Sequence, residues 1–104
     1  MNLKINPKKK ELEEILTLYK KKQFTKGEIK IKKLINVYSK SFFLYNLLGV
    51  FLNEQNKIEE AINSYKNAIK LKPDYSDAYY NLATIYKKTF RFKKAIQNYK
   101  ESLK

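Results

Sequence analysis

One periodicity limits what this chain can fold into: its residues recur every 34 positions. Shifted by that interval, Tyr45, Leu48, Gly49, Ala61, Ile62, Tyr65 and Ala68 fall on Tyr79, Leu82, Ala83, Ala95, Ile96, Tyr99 and Ser102. Ile58 falls on Phe92 and Ile69 on Leu103, and a weaker copy lies upstream in Ile15, Leu18, Phe24, Gly27, Ile31, Leu34 and Ile35. A unit this short cannot hide an apolar face by itself, so neighbouring units must stack. The repeats divide the single domain expected over 1–104 into units of about 8–41, 42–75 and 76–104.

Each unit reads as two helices. In the second, apolar residues at 44, 45, 48, 51 and 52 give a helical spacing over Phe43–Glu54. Asn56 then stands where a helix end favours a residue tolerant of the left-handed conformation. A second helix spans Ile58–Leu71, and Pro73 stops it. Asp74 or Ser76 is the expected cap of the next helix, which runs to about Lys88, and a last helix runs from about Phe92 to Leu103. The first unit should be helical over about 8–21 and 25–38. Gly49 with Ala61, repeated as Ala83 with Ala95, predicts a close crossing of the two helices in a unit. Gly27 costs about 1 kcal/mol of helix propensity against Ala, which makes sense if the crossing is tightest there.

Composition removes most chemistry. The chain has no His, no Cys and no Trp, so Cys/His zinc sites, disulfides, cysteine nucleophiles and Ser-His-Asp triads are excluded within it. Glu13/Glu14 and Glu59/Glu60 are adjacent pairs that diverge by about 100° on a helix. Asp74 and Asp77 suit a helix start, where carboxylates favour the dipole. No Gly-rich phosphate loop is present. No catalytic, metal-binding or cofactor-binding residue is expected.

The formal net charge is +13, and every basic residue but Arg91 is a lysine. Lys32, Lys66 and Lys100 are one period apart and should stack as a basic stripe. Such a stripe is either a solvated face or a surface for an acidic protein, a membrane or nucleic acid. Tyr and Phe fall mostly at core positions, so stacking on bases is poorly supported. The lysine excess travels with Asn, Ile, Tyr and Phe, all residues with A/T-rich codons, so the +13 is open to two readings, function or coding bias. The N-terminus is basic without a following apolar stretch, so it is not a secretory signal. The most apolar run, Phe42 to Leu52, is too short to span a bilayer. A cytoplasmic location is expected.

The motif Tyr45-x-x-Leu48-Gly49-x-x-Leu52, then Ala61, Tyr65, Ala68 and Pro73, resembles the tetratricopeptide repeat family. It continues as Tyr79-x-x-Leu82-Ala83-x-x-Tyr86, then Ala95, Tyr99 and Ser102. Glu11, Glu14 and Ser39 depart from the pattern in the first unit, and Phe90 stands where the family prefers Gly or Asn. The resemblance implies an all-α, right-handed α-solenoid of three helix–turn–helix units, six helices with no dedicated capping helix. It implies that first helices line a concave groove and second helices form the back. Such modules generally bind peptides or helices of other proteins and do no chemistry. The implied groove residues are Leu16, Tyr19, Phe43, Asn46, Val50, Asn53, Tyr80, Asn81, Thr84, Lys87 and Lys88.

Two other functions fit the same residues. One is an N-terminal repeat module of a larger glycosyl- or sulfotransferase-like enzyme; the other is a basic scaffold for nucleic acid or anionic membrane. A carboxylate clamp of the kind some family members carry is disfavoured, since Asp77 stands where a cation is needed. The chain stops in the third second-helix, so Ile96, Tyr99 and Leu103 should leave an apolar face partly open. Self-association through that face, or a longer parent protein, is the expectation.

Overall fold

The computed structural model of the chain describes residues 5–104. Six helices follow one another: α1 (Lys9–Lys20), α2 (Phe24–Val37), α3 (Phe42–Glu54), α4 (Ile58–Leu71), α5 (Ser76–Lys88) and α6 (Phe92–Ser102). No strand occurs among the described residues. The helices pair as α1/α2, α3/α4 and α5/α6; α3 packs on α2, α5 packs on α4, and α5 also touches α3. The result is a slab of 41 × 33 × 18 Å, about two helix diameters thick. A continuous core runs through all three pairs, from Ile15 and Ile31 through Leu44, Phe51 and Tyr65 to Ile85 and Ala95.

The three hairpin turns share one geometry. Lys22, Asn56 and Phe90 adopt positive φ of 57°, 61° and 64°. The next N–H reaches back five residues: Gln23 to the Leu18 carbonyl at 2.9 Å, Lys57 to Leu52 at 3.0 Å and Arg91 to Tyr86 at 2.7 Å. This reversal satisfies carbonyls that the helix end would otherwise leave open. Asn56 suits the conformation; Lys22 and Phe90 adopt it at a cost of about 1 kcal/mol each.

Side-chain volumes are matched across the helices. Gly49 lies under the ring of Tyr65, where an added Cβ would overlap the ring atoms. In the first unit, the corresponding positions hold Ile15 and Ile31, both fully buried. A medium pair thus replaces a small–large pair. Gly27 behaves differently from the expectation of a tight crossing within its own unit. A Cβ there would overlap the ring of Phe51, so the close approach is between α2 and α3 of the next unit.

The expected caps of α5 are also corrected. Tyr75 occupies the cap position, with no side-chain hydrogen bond to the helix start. Ser76 is the first helical residue and donates its hydroxyl to the Ser102 carbonyl at 3.1 Å. Asp74 is turned to Lys72 at 3.4 Å.

The polar departures in the first unit have partners. Glu11 accepts from the Tyr38 hydroxyl at 2.9 Å and from the Lys8 backbone N–H at 2.9 Å. The backbone bond, then the Tyr38 bond, hold the Glu11 carboxyl below its ordinary value, and the same contact raises Tyr38. Glu14 pairs with Lys30 at 2.6 Å. The carboxylates are therefore compatible with the helical register of the other units.

Candidate functional site

The first helices present exposed large apolar residues at expected groove positions: Leu16 and Tyr19 on α1, Phe43 on α3 and Tyr80 on α5. Leu16 is 52% exposed, Phe43 37% and Tyr80 57%. Helical spacing puts Tyr19 one turn beyond Leu16 and Val50 two turns beyond Phe43. Tyr19 meets the rings of Phe24 and Phe51 edge-on, with centroids 5.6 and 5.7 Å away. Val50 is partly buried against the core. Tyr80 packs edge-on to Tyr99 at 5.7 Å, and the Thr84 hydroxyl lies 3.5 Å from that of Tyr99.

Polar groups link adjacent first helices. Asn81 donates its amide to the Asn46 side-chain oxygen at 3.0 Å. Lys88 donates to the Asn53 oxygen at 2.8 Å. Asn46 is buried, so it ties α3 to α5 rather than projecting into solvent. Burial raises the hydroxyl of its neighbour Tyr75, the Asp77 charge adds to this, and a hydrogen bond with Asn46 opposes it. Lys87 is exposed at the same end of α5. The face thus offers apolar anchors, amides and ammonium groups, which suits contacts to both backbone and side chains of a peptide.

Three clefts lie away from this face. One of about 530 Å³ is lined by Lys10, Glu13, Glu14 and Lys30, and one of about 330 Å³ by Lys26, Ile29 and Lys33 among others. One of about 720 Å³ is lined by Ile5, Val37, Phe42, Lys70 and Leu71 among others. No cluster of three or more carboxylate or other metal-ligating side chains occurs among the described residues. No helix among them is long and apolar enough to cross a membrane.

Lys32, Lys66 and Lys100 are exposed on the second helices α2, α4 and α6. Lys32 is not simply solvated: it donates to Glu28 at 2.7 Å. Ile96 on α6 and Leu103 just past its end are exposed, and Tyr99 is half-buried against Tyr80.

Glu28 is a centre that pattern reading missed. It is a buried carboxylate on α2 that accepts from Lys32, from Lys57 at 3.0 Å and from the Gln55 amide at 2.9 Å. Burial alone would raise its carboxyl, but the bonds from Lys32, Lys57 and Gln55 outweigh this and bring it down to about 2. The partners come from α2 and from the α3–α4 turn, so the cluster fastens the first unit to the second. The only sequence signal was a carboxylate, Glu28, at the place that holds Ile62 and Ile96 in later units.

Helix pairs stacked around one shared core, with a mixed apolar and polar face on the first helices, define a helical-repeat scaffold. Comparison with known families agrees: a model described as "TPR repeat" matches residues 49–89, and one described as "Tetratricopeptide repeat" matches 76–104. The chain belongs to the tetratricopeptide repeat family, whose units form protein–protein interaction modules. Among curated proteins it is 37% identical over 68 residues to a peroxisomal targeting signal receptor of Saccharomyces cerevisiae, covering 65% of this chain and 11% of the receptor. A receptor of the same name from Candida albicans is 34% identical over 64 residues, 62% of this chain and 11% of that protein. The chain therefore spans about a tenth of the length of the curated relatives it matches. Among solved structures, the second TPR of Spaghetti (RPAP3), bound to the HSP90 peptide SRMEEVD, superposes with a TM-score of 0.83 at 19% identity, covering 90% of this chain and 87% of that one. MamA from Desulfovibrio magneticus RS-1 gives 0.83 at 17% identity, covering 89% and 52%. These two likenesses concern the fold alone.

Proposed function

We propose that this chain is a non-enzymatic interaction module that holds a peptide or helix of a partner protein across α1, α3 and α5. The observation that carries the reading is that every first helix exposes at least one large apolar side chain, Leu16 and Tyr19 on α1, Phe43 on α3 and Tyr80 on α5. Asn53, Lys87 and Lys88 stand beside them, and Lys20 lies at the end of α1. That border of ammonium groups favours a ligand with carboxylates. Support comes from a relative in fold whose bound peptide, SRMEEVD, is acidic, and from relatives in sequence named as receptors for a targeting signal. The reading carries with it the cytoplasmic location expected from the sequence.

The test is capture of cellular proteins by the immobilised chain at about 50 and 300 mM salt, comparing wild type with a Phe43→Ala, Tyr80→Ala double variant. Both residues are partly exposed, so the double variant should keep its helical circular dichroism. A partner held by wild type at both salt concentrations and bound about tenfold more weakly by the variant supports the groove. Equal retention by the two proteins refutes it.

A further inference from the structure

The turn between α5 and α6 is built unlike the other two. It reads Lys87-Lys88-Thr89-Phe90-Arg91-Phe92-Lys93-Lys94, five cations around two aromatic rings with no carboxylate among them. Phe90 takes the left-handed conformation that Asn56 takes in the second unit, at the steric cost of an L side chain there. It is nevertheless 79% exposed, and its ring meets Phe92 edge-on with centroids 6.0 Å apart. Strain kept for so little burial points to a role outside the fold.

That exposure belongs to the turn itself. Lys22 and Asn56 hold the same place in the earlier units, and both are exposed with a further unit following them. The same is true of Thr25, Lys26, Glu59 and Glu60, the counterparts of Lys93 and Lys94. Stacking of units therefore does not cover these positions. Charge singles out the third turn as well. One acid reaches it, Glu59, which pairs with Arg91 at 2.7 Å. Lys93 and Lys94 form no ion pair among the described residues, and Lys94 lies over the Tyr86 ring at 5.5 Å. The first turn, Lys20-Lys21-Lys22, carries charge without an exposed ring: Phe24 beside it is half-buried, edge-on to Tyr19 and Phe51.

We propose that the α5–α6 turn docks on an anionic membrane surface, with Phe90 entering the boundary between headgroups and acyl chains and Lys93 and Lys94 lying among the headgroups. An apolar tip ringed by lysines suits that boundary, because the long lysine stems keep the ammonium groups at headgroup level while a ring sinks below them. A peptide fits less well, since none of the three clefts is lined by a residue of this turn. Nucleic acid also fits less well. Phe90 and Phe92 meet at 78° and offer no shared face for stacked bases, and Arg91, whose fork would hold a phosphate, is engaged by Glu59.

The experiment mixes the whole chain with vesicles of phosphatidylcholine, alone or with about 30% phosphatidylserine, in about 100 mM salt. Co-sedimentation is measured for wild type, Phe90→Asn, Phe43→Ala, a Lys93→Glu, Lys94→Glu double variant and a Lys21→Glu, Lys22→Glu double variant. The two double variants change net charge equally, all the altered side chains but Phe43 are exposed in turns or at a helix start, and circular dichroism verifies folding. Wild type should bind the phosphatidylserine vesicles and bind phosphatidylcholine alone far less. Phe90→Asn should bind about tenfold more weakly although it relieves the backbone. The Lys93→Glu, Lys94→Glu variant should lose about tenfold or more, and the Lys21→Glu, Lys22→Glu variant and Phe43→Ala much less. The chain has no Trp, so Phe90→Trp places a single indole at the tip, and its emission should shift to the blue on the phosphatidylserine vesicles. No binding to those vesicles, equal losses in the two double variants, indifference to Phe90→Asn, or an unshifted indole overturns the proposal. So does loss of vesicle binding in Phe43→Ala, which would place the lipid in the groove. Binding of a DNA oligonucleotide that outcompetes the vesicles and is weakened by Phe90→Asn would assign the tip to nucleic acid and overturn it too.

Discussion

Replacing Glu28 by Gln isolates the ionic fastening between the first and second units. The carboxyl sits at about 2 when folded, against an ordinary 4.5. Each tenfold change in proton affinity is worth about 1.4 kcal/mol, which gives an upper value of about 3 kcal/mol. The side chains of Lys32 and Lys57 are 53% and 40% exposed, so water screens both bonds. That screening reduces the expected loss in Glu28→Gln to about 2 kcal/mol at neutral pH. The sign follows from the lowered folded value. The stabilisation is complete above about pH 4.5 and disappears as pH falls toward about 2, where the folded carboxyl takes up its proton. Urea melts of wild type and Glu28→Gln at pH 7, 4.5 and 2.5 measure the difference directly. The gap between the two proteins should be widest at pH 7 and narrow steadily toward pH 2.5. Hydrogen exchange should show α1 and α2 losing protection before α5, because stacked units are stabilised by their nearest neighbours. A gap that stays the same at pH 7 and pH 2.5 refutes the electrostatic account and assigns the cost to packing.

Other substitutions probe the packing and the turns. Gly27→Ala gains about 1 kcal/mol of helix propensity but drives a Cβ into Phe51, so urea melts should show a net loss of about 1 to 2 kcal/mol. Adding Phe51→Leu to Gly27→Ala should then cost less than Phe51→Leu costs alone, and a double-mutant cycle with no favourable coupling would contradict the contact. Gly49→Ala meets the Tyr65 ring in the same way and should lower the melting temperature. Phe90→Asn relieves a side chain held at φ 64° and should stabilise by about 0.5 to 1 kcal/mol, measured by thermal denaturation.

The fold was legible because its signals are local and repeated. Apolar spacing locates α4 at Ile58–Leu71, the bounds expected from the residues alone, and Pro73 closes it. Asn56 announced its turn, while Lys22 and Phe90 adopt the same conformation without the residue that advertises it. What pattern could not supply is which neighbour a side chain turns to across units. Asn46 reads as a groove amide by its place on α3, yet it is buried and its side-chain oxygen accepts from Asn81 on the next first helix. Gly27 reads as a residue for its own hairpin, yet the ring above it belongs to Phe51 of the next unit. Glu28 looks like a break in an apolar face until Lys57 and Gln55 arrive from the following turn. All three cases lie at junctions between units, where a repeat period fixes the spacing of the helices but leaves their polar chemistry free. Such junctions can therefore vary in charge from one unit to the next while the apolar spacing stays fixed, and Lys93 at the place of Glu59 is the instance on the exposed face of α6.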